Sequence, residues 1–131
     1  MLSLIRFSLL ALLLGCSFHA HADWKRVVNG DRAEFFIDPS TIRINGDQRE
    51  VWSLINYHNP QQLQSGRIFR SMRNLLQLQC DAHFARGVHG AFYSGEMLHG
   101  EKISEMGALP PWEPVKAGSP IKDIFDLVCR S

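Results

Sequence analysis

Apolar and polar residues alternate along most of this chain and change to helical spacing only at its end. The clearest alternation lies in residues 49–58, where Trp52 and Leu54 point one way and Val51, Ile55 and Tyr57 the other. Both sides are apolar, so a central strand is expected here. In residues 67–81 Met72, Leu76, Leu78 and Cys80 share one face. Arg67, Arg73, Gln77 and Gln79 share the other, with Phe69 and Leu75 among them. That pattern predicts one buried and one mostly wet face.

The flanking segments carry weaker signals of the same kind. Residues 23–28 and 33–38, joined by Asn29-Gly30-Asp31, predict a hairpin. Pro39 ends it, Ser40-Thr41-Ile42 reads as a short turn, and Asn45-Gly46-Asp47 is a second hairpin signal. Residues 59–66 are polar, contain Pro60 and read as a loop. Residues 83–94 predict a strand in which Gly87 and Gly90 mark a bulge or bend. Residues 96–106 read as a last strand bent at Gly100, and the proline-rich 107–118 as an irregular connection. In residues 118–131 Ile121, Ile124, Phe125 and Val128 fall on one helical face, with Ser119 as N-cap and Pro120 in the first turn.

Strands in succession with one terminal helix are not the alternation of a parallel α/β sheet. The expected fold is α+β: an antiparallel sheet of about five or six strands, with a C-terminal helix on one face. The cysteines bear on how that helix is held. Residues 1–22 have the form of a secretory signal: Arg6, an apolar run over 7–15 too short to span a bilayer, and a cleavable Ala20-His21-Ala22. Cleavage between Ala22 and Asp23 leaves residues 23–131 as one domain. A competing reading takes Leu13-Leu14-Gly15-Cys16 as a lipoprotein signal acylated at Cys16, and only then is a membrane involved. Ordinary cleavage removes Cys16 and leaves Cys80 and Cys129, which in an exported protein read as one disulfide tying strand to helix; two free thiols are the alternative.

Cleavage also removes Arg6 and no acid, leaving 13 basic and 13 acidic residues. A balanced charge gives no reason to expect nucleic acid as a partner. His58, His83, His89 and His99 lack metal-ligand spacing. His83 and His89 would face the same way in a regular strand, about 20 Å apart. No nucleophile elbow or phosphate loop is present, and Glu96, Glu101 and Glu105 lie in an ordinary polar segment. No catalytic, metal or cofactor site is therefore expected. What remains is a basic, partly aromatic set, Arg67, Phe69, Arg70, Arg73 and Arg86, with Trp112 in the proline-rich connection as a contact candidate. It reads either as solvated strand positions that protect a sheet edge or as a surface for an anionic glycan or an acidic protein patch. Trp24, Trp52 and Trp112 read as core residues before sugar platforms.

One family resemblance runs through the whole chain after residue 22. Trp24, Phe36-Ile37-Asp38 with Ser40-Thr41-Ile42, and the run from Val51 to Tyr57 begin it. Ser71, Leu78-Gln79-Cys80-Asp81, residues 95–100, Gly118-Ser119-Pro120 and Val128-Cys129 continue it. In this order and spacing the chain resembles the surface-adhesin protein E family of Gram-negative bacteria. The resemblance implies an antiparallel sheet with a disulfide-held C-terminal helix, in an exported protein of the periplasm or outer-membrane surface. Some relatives bind host extracellular proteins. It carries over no catalytic residues. A non-enzymatic envelope binding protein is thus the first expectation, its partner a host matrix protein or another envelope protein. A periplasmic accessory protein is the second, and an enzyme or metal binder the third. Homo-oligomers through an open sheet face or edge suit the architecture.

Overall fold

In the computed structural model, residues 22–106 and 109–130 are described; Cys16 and the signal segment up to residue 21 lie outside them. The chain forms β1 (Lys25–Asn29), β2 (Ala33–Ile37), β3 (Arg43–Asn45), β4 (Gln48–Gln62), β5 (Ile68–Gln79), β6 (Phe84–Tyr93), β7 (Lys102–Met106), β8 (Glu113–Pro114) and α1 (Pro120–Cys129). All pairings are antiparallel in the order β1-β2-β4-β5-β6-β7, with β3 on β4 and β8 on β6. Among the described residues the sheet has eight strands where five or six were expected. The two added ones are three and two residues long, too short to leave a periodicity.

Alternation assigns the faces. Opposite residues in a ladder point the same way, so Ile37, Val51, Leu76, Leu78 and Ala85 line one side. There Ile124, Phe125 and Val128 of α1 close the core, with Ile37, Val51, Leu78 and Val128 fully buried. Burying each large aliphatic or aromatic side chain contributes about 1.5–3 kcal/mol. The apolar spacing of α1 is thus satisfied by the buried face predicted for β5. The Cys80–Cys129 disulfide, Cα atoms 5.7 Å apart, joins the end of that face to the end of the helix. Asp47, in the β3–β4 turn, steadies the strand side of the bridge: its carbonyl accepts from Cys80 N at 3.1 Å and its carboxylate from Asp81 N at 3.0 Å.

Several local expectations are revised. Ser119 holds the N-cap position and Pro120 the first turn, yet the Ser119 hydroxyl donates to the Lys116 carbonyl at 2.6 Å and caps no helical N–H. Pro60 does not end β4; the ladder slips register between Asn56 and Gln61 and resumes, because an irregular stretch dispenses with the donor that proline lacks. Residues 96–98 form a 3-10 turn, and only β7 is strand. The bulge expected in β6 lies at Val88, since Leu75 faces His89 while Leu76 faces Gly87. Gly87 packs closely there: a Cβ would come 2.4 Å from Asn74 Oδ1 and would push that side chain aside. His83 precedes β6 at φ 58° and packs its ring 5.0 Å from Phe125, so it does not share a regular strand with His89.

Asp38, 4% exposed, anchors the entry to β4. Its carboxylate accepts from Ser40 N, from the Ser40 hydroxyl at 2.6 Å and from Asp23 N at 3.2 Å. The Thr41 hydroxyl in turn donates to the Asp38 carbonyl and accepts from Trp52 N at 3.0 Å. A 3-10 turn over residues 39–41 is thereby held against the middle of β4.

Candidate functional site

The face turned away from α1 carries Glu50, Trp52 and Leu54 of β4, Arg73, Leu75 and Gln77 of β5, and Arg86, His89 and Ala91 of β6. Its two ends are closed in different ways. At one end the Glu96–Leu98 turn folds over the sheet. Met97 N donates to Asn56 Oδ1 at 2.8 Å and Leu98 N to the Ser71 hydroxyl at 2.8 Å, while that hydroxyl donates to the Gly95 carbonyl at 2.6 Å. Ser71 is wholly buried and Asn56 nearly so. At the other end a polar chain crosses three strands: Arg86 Nε donates to Gln77 Oε1 at 2.9 Å, and Gln77 Nε2 donates to Glu50 Oε1 at 2.9 Å. The Arg86 guanidinium lies 4.1 Å over the Trp112 ring.

Between these ends the face is open around Trp52. The Arg73 guanidinium lies 5.1 Å from the centre of the Trp52 ring. Three hollows of about 330, 260 and 150 Å³ adjoin this one indole. The largest runs past Thr41, Arg43 and Glu50, the second past Arg73, His89 and Glu105, and the smallest past Trp24 and Arg73. Glu105 is held below the usual carboxylate range by its hydrogen bond and charge pairing with Lys102, with a lesser contribution from Arg73. Tyr57 is raised by burial, which the charge of Arg32 partly offsets.

The basic set singled out in the sequence divides in space. Phe69 is buried, packed edge-on between Tyr57 and Phe92 at 5.6 and 4.8 Å. Arg67 donates to the Ile103 carbonyl at 2.9 Å and pairs with Glu101 at 3.4 Å. Arg70 pairs with Glu96 at 2.7 Å and so pins the covering turn. Arg73 and Arg86 lie on the open face, each stacked on a tryptophan. None of the three tryptophans is in the buried core. Trp52 and Glu50 received no weight as surface residues in the sequence, although their even offset from Leu54 placed them on the side away from Val51. Gln77 was assigned to the wet face, and the structure gives it a partner on either side. Among the described residues, no three His, Cys, Asp or Glu side chains gather into a group that could hold a metal ion.

The fold and this face define a small α+β protein: a twisted antiparallel sheet, a helix locked to one side by a disulfide, and a polar–aromatic surface on the other. Residues 24–130 match the family of surface-adhesin protein E, and the chain belongs to that family. Solved structures agree with the fold. Protein E of Haemophilus influenzae superposes with a TM-score of 0.63 at 14% identity, covering 86% of this chain and 87% of that one. Its second crystal form gives a TM-score of 0.66, also at 14% identity, covering 86% and 91%. Protein E from non-typeable Haemophilus influenzae gives 0.62 at 14% identity, covering 86% and 79%. No curated protein matches the chain by sequence.

Proposed function

We propose that this is an exported, non-enzymatic binding protein of the bacterial envelope, with residues 1–22 as its secretion signal. Its ligand is an extracellular protein, held on the sheet face opposite α1. The observation that carries this reading is the stacked pair of Arg73 and Trp52 at the centre of that face, left open between two closed ends. Tryptophan and arginine are the side chains most often found to dominate binding energy at protein surfaces. Arg86 on Trp112 supplies a second such pair at the rim. Membership of a surface-adhesin family supports the same reading. With 13 residues of each sign after residue 22, attraction must come from the local pattern of charge and not from the net charge.

The test is saturable binding of the exported, purified protein to wells coated with extracellular-matrix proteins. Binding should weaken as salt rises, through screening of the exposed arginines. Replacing Arg73 and Arg86 together by alanine should weaken it by about tenfold or more, or roughly 1.4 kcal/mol. Binding that never saturates, or that ignores the double replacement, rules the proposal out.

A further inference from the structure

The cation at the centre of the hollows around Trp52, Arg73, makes no ion pair within 4.0 Å among the described residues. Arg49, Arg70 and Arg73 each have a buried Nε without an acceptor. Arg49 still donates to the carbonyls of Gly46 and Gln48, and Arg70 to Glu96 and the His58 carbonyl. Arg73 has no side-chain hydrogen bond and no ion pair among the described residues, and its guanidinium lies over the face of Trp52. Glu105 is near enough to feel the charge but is engaged by Lys102. A guanidinium held on an indole, partly desolvated and unpaired, presents a fixed fork of donors that matches a carboxylate.

The neighbouring groups narrow the ligand. Glu50, which lines the largest hollow with Arg43, accepts from Gln77 through Oε1, and its Oε2 has no hydrogen-bond partner among the described residues. His89 lines the second. Arg43 stands opposite Glu50 in the β3–β4 ladder, so Arg73 is the cation left for a ligand; beside an indole and among polar side chains, it suits a polyhydroxylated ring that carries a single acid group. A polysulfated chain fits poorly, because Glu50 and Glu105 line the same hollows and would repel its further charges. An acidic peptide would satisfy Arg73 but would leave the oxygen of Glu50 facing its carboxylates.

The geometry points to a binding site for a carboxylated sugar, its acid group on Arg73 and its ring against Trp52. This rests on the reading of the open face as the binding surface and narrows what on a partner is recognised. Two sources share that chemistry: a terminal sialic acid and a uronic acid within a chain.

The experiment is a titration of the exported, isotopically labelled protein, following its tryptophan indole N–H resonances, with sialyllactose, a glucuronate-containing disaccharide, lactose and a glutamate-rich peptide. The Trp52 resonance should shift saturably with at least one acidic sugar and stay still with lactose. Which acidic sugar saturates at lower concentration assigns the source. Arg73→Gln should weaken the effect by about tenfold or more, equivalent to roughly 1.4 kcal/mol, while Lys122→Gln, on α1 behind the sheet, leaves it unchanged. The inference is overturned if neither acidic sugar moves Trp52 at millimolar concentration, if lactose moves it equally, or if only the peptide does. Matrix-protein binding without any response to sugar sinks the saccharide site alone; a sugar response without matrix binding sinks the protein-binding reading alone.

Discussion

Cutting the Cys80–Cys129 bridge should cost much of the protein's stability and should do so from the helix outward. The bridge spans 49 positions. Loop-closure entropy for a ring of that size corresponds to about 4 kcal/mol at 25 °C. Domains of this size have total stabilities of about 5–15 kcal/mol, so the loss is a large fraction. At about 4 °C per kcal/mol for a chain near 110 residues, Tm should fall by about 15 °C. The double replacement Cys80→Ser with Cys129→Ser avoids a stray thiol. Differential scanning calorimetry reads the shift, and amide hydrogen exchange reads its location. Exchange should accelerate most in α1, whose remaining hold on the sheet is Ile124, Phe125 and Val128, and least in the β4–β5 ladder. A Tm lowered by less than about 3 °C, or α1 amides as protected as before, would refute the reasoning that the bridge is what keeps the helix down.

Other perturbations report on other parts. Ser71→Ala removes an acceptor from Leu98 N and a donor from the Gly95 carbonyl in a fully buried place; chemical denaturation should show a loss of about 1–3 kcal/mol, with faster exchange confined to residues 95–98. Gly87→Val places a Cβ 2.4 Å from Asn74 Oδ1 at the bulge, and calorimetry should find destabilisation of about 1–3 kcal/mol. Burial raises Tyr57 above its ordinary value of 10. The unfolded chain then loses its phenolic proton first, so stability is intact below about pH 10 and falls as pH rises beyond it; Tyr57→Phe should flatten that alkaline slope in denaturation curves. Asp38→Ala strips the acceptor from Ser40 N, the Ser40 hydroxyl and Asp23 N, and urea unfolding should register about 1–3 kcal/mol less stability.

The regular parts of the fold were legible because two periodicities are hard to mistake. Val51, Leu76, Leu78 and the Ile124–Phe125–Val128 face are buried where the spacing put them. The bulge beside Gly87 was legible from glycine inside a strand. The 3-10 turn at residues 96–98 was not, because its stability comes from Asn56 and Ser71, more than twenty residues away in sequence. β8 was hidden for a similar reason, as two residues with a proline pair only because β6 is there to meet them. The candidate site was half legible. Arg73, Arg86 and Trp112 stood out in the sequence, yet neither stacking partner could be assigned from it. Trp52 looked like core because tryptophan within an apolar run usually is, and only the placement of α1 decides which side of β4 is covered.

The order of events along the chain gives the bridge a further meaning. β4, β5, β6 and β7 are consecutive neighbours in both sequence and space, a meander of local pairings that can close soon after each hairpin leaves the ribosome or a secretion channel. Cys80 directly follows β5, and Cys129 comes 49 positions later on α1, after β6, β7 and β8. A disulfide between them can close only once β6, β7 and β8 have been made, so it acts as a latch on strands that have already had the chance to pair. An enzyme that oxidises the pair would find its substrate already aligned, and a reductant would undo the latch without unthreading the fabric beneath it.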